Sequence, residues 1–159
     1  MATITQTALG SGATAISTGT YRTGSLTPSI GSLVLFALGD QGSASSANQT
    51  PPASITGCGL TWEKVDSTIL PQFFASISLW RAMGAGAVAG TLTIAYTGSH
   101  ARIRYAVSEF GTISTVGGNG SGAVVQAAHA VGVGTTTLLV NLASFASASN
   151  ATYGMLSIL

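Results

Sequence analysis

Apolar and polar positions alternate in steps of two along most of this chain, and the longer step of an amphipathic helix is nearly missing. Thr91-Leu92-Thr93-Ile94-Ala95-Tyr96 sets Leu92, Ile94 and Tyr96 on one side. Ala101-Arg102-Ile103-Arg104-Tyr105-Ala106-Val107 sets Ile103, Tyr105 and Val107 on one side and both arginines on the other. Ile77 and Leu79 share a face while Trp80 takes the opposite one, and Leu138, Val140 and Leu142 alternate after a threonine run. Successive side chains of a strand point to opposite faces, and β-branched residues suit a pleat, so each run predicts a strand. The expected strands are 3–8, 13–21, 32–38, 60–66, 74–83, 91–97, 101–110, 123–128, 136–142 and 152–159. Only Ala127–Ala130 and Ala143–Ser149 read as helical turns.

Turn-forming stretches separate these runs. Gly39-Asp40-Gln41-Gly42 opens the longest expected loop, reaching about Gly59, and Gly84–Gly90 and Gly117–Gly122 make further breaks. Many strands with loops between them predict an all-β fold, a single antiparallel β-sandwich of jelly-roll type. Its expected core holds Leu35, Trp62, Ile77, Leu79, Leu92, Ile94, Ile103, Tyr105, Val107, Leu138 and Val140. Residues 13–159 form that domain, and no linker divides it.

The two ends read differently. Residues 1–12 are small and polar, with Ile4 and Leu9 as apolar anchors, so they are expected to be an arm. Such an arm would pair its backbone with a neighbouring subunit, and Gly10 and Gly12 would be its hinge. An ordinary edge strand on its own sheet is the alternative. Tyr153–Leu159 is an apolar stretch that must pair inside the sheet or against a neighbour, because exposed edges aggregate. Pro71-Gln72-Phe73-Phe74 places two aromatics side by side, and a regular strand cannot turn both to one core. The candidate interface residues are therefore Ile4, Leu9, Phe73, Phe74, Leu156 and Leu159.

Charge is scarce throughout the chain. The chain of 159 residues has 5 Lys and Arg and 4 Asp and Glu, which is 6% charged, where an ordinary domain has about 25%. Near-neutral surfaces tend to associate, so this surface is expected to be covered by copies of the chain or by a larger assembly. A homo-oligomer follows, most simply a trimer. The five cations are scattered, so neither a nucleic-acid partner nor a membrane surface is expected. Residues 1–20 lack the charged and apolar regions of a secretory signal, so synthesis in the cytoplasm without export is expected.

Chemistry has little to work with. His100 and His129 have no second ligand at metal spacing, and Cys58 is the single cysteine, so no metal or cofactor is expected. Glu63 and Asp66 lie three apart, on opposite faces of a regular strand, which argues against a glycosidase pair. Glu109 follows the inward face, where an arginine is expected to neutralise it. No serine stands on a nucleophile elbow. Trp62, Phe73, Phe74, Trp80 and Tyr105 could stack on a sugar, but core or subunit packing is the plainer expectation. No catalytic residue is assigned.

Several strings carry a resemblance: Gly59-Leu60-Thr61-Trp62 with Val65; Ser78-Leu79-Trp80-Arg81-Ala82; Val107-Ser108-Glu109-Phe110; and Phe145–Gly154. In this order they resemble a β-sandwich domain of tailed-bacteriophage virion proteins, across about Ser25 to Gly154. The resemblance implies a capsid decoration, fibre or tail component, usually a symmetric oligomer without catalytic activity. It places the chain on the virion surface, with a major capsid protein or another virion component as partner. Such domains often continue past the Tyr-Gly pair, so missing strands are expected from a neighbour unless this is a short variant. A receptor- or glycan-binding tail module is the alternative reading, and a filament subunit assembled by strand donation is the second.

Overall fold

A computed structural model of the chain describes residues 3–42, 50–70, 73–132, 135, 137–145 and 150–155. Its strands are β1 (Thr5–Thr14), β2 (Thr18–Arg22), β3 (Leu33–Gly42) and β4 (Ser54–Gly57), then β5 (Leu60–Thr61), β6 (Glu63–Leu70), β7 (Ala75–Ala82) and β8 (Leu92–Gly111). All join one antiparallel sheet curled into a half-barrel, so the expected all-β, sandwich-like class holds. The expected strands 91–97 and 101–110 are one strand, β8, which serves as the spine. Its C-terminal half takes β1 on one side and β3 on the other; its N-terminal half takes β2 and β4. β7 then pairs with β3, β6 with β7, and β5 with β4.

One irregularity makes this spine work. Leu92, Ile94 and Tyr96 fall on even positions and Ile103, Tyr105 and Val107 on odd ones, yet both sets reach the inner face. Gln41 stands opposite Arg102 and Gly42 opposite His100, which leaves Ala101 as an extra residue. A bulge of one residue shifts the alternation by one and sharpens the bend. The inner cluster then gathers Val34, Phe36, Leu38, Trp80, Leu92, Ile94, Ile103 and Val107. Phe36 stacks on Tyr105 at 5.6 Å between ring centres and meets Trp62 edge-on at 6.2 Å. Offset and edge contacts of this kind add to the gain from burial itself.

The β4–β5 hairpin lies partly inside the expected loop, which contains little apolar signal besides Ile55. Its two loop residues, Cys58 and Gly59, have φ of 55° and 66°, the turn whose twist suits a tight hairpin. Trp62 falls between β5 and β6, where its indole N–H donates to the Gly57 carbonyl at 3.2 Å. Burial pushes the Cys58 thiol up, away from the reactive thiolate.

The segment expected to be an arm lies on its own sheet. Thr5 stands opposite Gly111 and Thr14 opposite Ile103, so residues 5–14 follow the edge-strand alternative. The expected hinge glycines are instead points of close approach. A Cβ on Gly12 would come within 2.7 Å of the Tyr105 hydroxyl, and one on Gly10 within 2.9 Å of Leu26.

Beyond Gly111 the described chain contains no strand, only a 3-10 turn at Gly118–Gly120. The expected strand 123–128, and the described parts of 136–142 and 152–159, are irregular, as is the expected helical turn Ala127–Ala130. The described part of the other expected turn, 143–145, is irregular too; residues 146–149 lie outside the described residues. Leu138 and Val140, expected in the core, are each 44% exposed. Alternation sorts side chains between two faces, but only a neighbouring strand turns one face into an interior, and this segment has none among the described residues.

Candidate functional site

The outer face of the sheet is where the C-terminal chain lies. Leu33, Leu35 and Phe110 are buried there, with Ile4, Leu79 and Met83 beside them. Ile113, Ala123, Val124 and Tyr153 cover them, and Tyr153 meets Phe110 edge-on at 5.6 Å. The entry to this covering segment is fixed by close contact. Gly120 has φ of 80°, and a Cβ there would lie 2.6 Å from Leu33. Next to it, Asn119 Nδ2 donates to Glu63 Oε1 at 2.8 Å, and Arg81 donates to Glu63 Oε2 at 2.6 Å. The Asn119 amide, then the Arg81 guanidinium, hold the Glu63 carboxyl below its ordinary range.

Between this segment and strands β6 and β7 runs a groove of about 400 Å³. Leu70, Ile77 and Leu79 line the sheet side, and Leu138, Val140, Leu142 and Met155 line the other. At one side His129 Nδ1 lies 3.0 Å from Asp66 Oδ2 and 3.1 Å from Oδ1, bracing the segment on β6. Asp66 faces the groove because of a second bulge. Lys64 stands opposite Trp80 and Asp66 opposite Leu79, leaving Val65 unpaired. Glu63 and Asp66 therefore share the outer face, contrary to the opposite faces expected from their spacing. Each is held by its own partner, Glu63 by Arg81 and Asp66 by His129.

A second polar cluster lies inside the half-barrel. Asp40 accepts from Ser76 Oγ at 2.7 Å and Tyr96 Oη at 3.3 Å, and His100 Nδ1 lies 3.1 Å from its other oxygen. The Tyr21 hydroxyl donates to the His100 carbonyl oxygen, and the His100 ring stacks on Tyr96 at 3.8 Å. Burial first, then the Asp40 carboxylate, push the Tyr96 phenol up. His100, which falls between the expected strands 91–97 and 101–110, is thus buried in β8. The members resemble a nucleophile, base and acid, but the order is different. Here the carboxylate stands between serine and histidine, whereas a relay places the histidine in the middle. Ser76, Tyr96 and His100 around the buried Asp40 describe a braced core, in which side-chain hydrogen bonds replace those to water.

The candidate interface residues fall in several places. Ile4 packs on the outer cluster and Leu9 on the inner one, both half-buried within their own chain. Phe73 is half-buried and Phe74 exposed, at φ of 49°, so one of the pair faces outward. Leu156 and Leu159 lie outside the described residues. Of the five aromatics considered for sugar stacking, Trp62, Trp80 and Tyr105 pack on the inner cluster. Glu109 finds Ser29, through its N–H at 2.8 Å and hydroxyl at 3.0 Å, where an arginine was expected. The spacing of Asp40, Ser76 and His100 carried no signal, because the half-barrel brings them together from three strands.

Among the described residues, no group of three or more His, Cys, Asp or Glu is arranged to hold a metal ion. Nor is any described helix long and apolar enough to cross a membrane. No family model, curated protein or solved structure matches the chain.

Proposed function

We propose that this chain is a non-enzymatic building block of a larger protein assembly, held there as a symmetric homo-oligomer. One observation carries the reading: the C-terminal covering segment presents apolar side chains to solvent. Val116 is 75% exposed and Leu139 70%, and Val125, Val131 and Leu142 are exposed with them. Exposed apolar residues occurring singly are normal, but several on one segment mark a contact surface. With so few charges elsewhere to keep single copies apart, contact between like surfaces is the favoured outcome. A subunit decorating a virion capsid, the role implied by the sequence resemblance, meets both conditions, and its shell would be the second partner. Nucleic acid and membrane are not among the proposed partners.

The test is to purify particles from cells making the chain and to count its copies by electron cryo-microscopy. Many symmetric copies on a shell support the reading. A few copies at a tail tip favour host or glycan recognition, and absence from any particle overturns both.

A further inference from the structure

We infer that the free edge of β1 is a self-pairing surface, on which β1 of a second copy adds antiparallel about a twofold axis. This rests on the assembly reading above and names one contact within it. Two long strands, β1 and β6, lie at edges of the sheet. β1 pairs only with β8, and β6 only with β7, so among the described residues each leaves one row of backbone N–H and C=O groups unpaired. Natural edges are kept from pairing by charges, prolines and irregularities. β6 has such a guard: Glu63, Lys64 and Asp66 supply three of the nine charges of the whole chain, with the Val65 bulge between them. β1 reads Thr-Gln-Thr-Ala-Leu-Gly-Ser-Gly-Ala-Thr, ten residues without a charge or a proline. It too has a bulge, at Leu9, but that side chain packs on the inner cluster and no charge accompanies it, so what β1 lacks relative to β6 is the charges.

The edge is also held ready. Tyr105 lies over Gly12 and Leu26 over Gly10, so β1 is clamped to the sheet before any partner arrives. Clamping removes part of the ordering entropy that strand addition must otherwise overcome. The occupant follows from charge and side-chain size. Strand addition takes affinity from main-chain bonds and specificity from pockets for alternate side chains. β1 offers small side chains and no counter-charge, so it selects neither an acidic nor a basic peptide. Against another β1 it meets no like charge, and cross-strand like charges are what oppose such pairing. A twofold contact of this kind closes on itself and uses up both edges.

The test combines sedimentation of wild type with two lysine variants at exposed β1 positions, Thr7→Lys and Ser11→Lys. Thr61→Lys on β5 is the control. An even-numbered wild-type oligomer is expected, with its dissociation constant raised at least tenfold by either β1 variant and unchanged by the control. Hydrogen exchange of wild type adds a readout independent of any variant: β1 amides should gain protection between dilute and concentrated samples. A wild-type oligomer indifferent to both lysines, a trimer included, overturns the edge while leaving the assembly reading standing. A monomer overturns both. Should the variants fail to fold, unchanged exchange of β1 in wild type overturns the edge on its own.

Discussion

Two stretches of this chain alternate equally well and end in different surroundings. Ile103, Tyr105 and Val107 lie in β8 between β1 and β3, and Ile103 is fully buried. Leu138, Val140 and Leu142 lie in the covering segment, exposed and without a paired strand among the described residues. Period-two alternation thus sorts side chains between faces, whereas burial depends on the neighbours of each strand. β8 has strands along both edges, so its inward side chains are enclosed by those of the adjoining strands. The covering segment lies on one face of the sheet, where Ile113, Ala123, Val124 and Tyr153 pack on the outer cluster.

The largest expected contrast comes from truncating one residue in each region. Phe36→Ala should destabilise the fold by about 3–5 kcal/mol, since it empties the centre of the inner cluster. Leu139→Ala should change stability by no more than about 0.5 kcal/mol, as surface changes usually do. Urea unfolding of the two variants measures both, and equal losses would erase the distinction between the regions. Next comes the buried polar cluster. Asp40→Ala leaves Ser76, Tyr96 and His100 without their acceptor and should lose about 2–3 kcal/mol. Asp40→Asn keeps an acceptor for Ser76 and should lose less in the same urea titration.

Much of the sheet was legible in the sequence, and the reasons are local. Runs such as 91–97 and 101–110 state their own periodicity, so β8 could be read in both halves. The bulge at Ala101 that joins them could not, because Gly98-Ser99-His100 just before it reads equally well as a break between two strands. The Val65 bulge was equally silent, and it moved Asp66 to the face of Glu63 and into the groove. The site residues were harder. Asp40, Ser76 and His100 come from β3, β7 and β8, and nothing in their spacing foretells that a curled sheet brings them together. Ile4 and Leu9 were recognised as the apolar anchors of their segment, but whether they anchor it to a neighbour or to their own sheet depends on pairing.

The smallest effect tests how the covering segment is held. Glu63 has its carboxyl lowered from the ordinary 4.5 in the folded chain by Asn119 and Arg81. A carboxyl lowered in this way contributes stability above its unfolded value and loses it as pH falls through the folded one. Thermal unfolding should therefore show a downward step in melting temperature on acidification below about pH 4.5. Glu63→Gln should reduce that step, while at neutral pH its cost should be slight because the Glu63 side chain is 42% exposed and solvent screens the pair. An identical acid profile for the variant would mean that this contact does not fasten the segment.

The central claim is that the exposed apolar side chains of the covering segment meet another copy of the chain. Sedimentation equilibrium at micromolar concentration tests it most directly, with wild type beside a Val125→Ser/Leu139→Ser double variant. The account predicts a stable wild-type oligomer and a weaker one in the variant, with the melting curve of the inner cluster retained. A soluble wild-type monomer throughout the concentration range, or an oligomer that the two serines leave untouched, would contradict it.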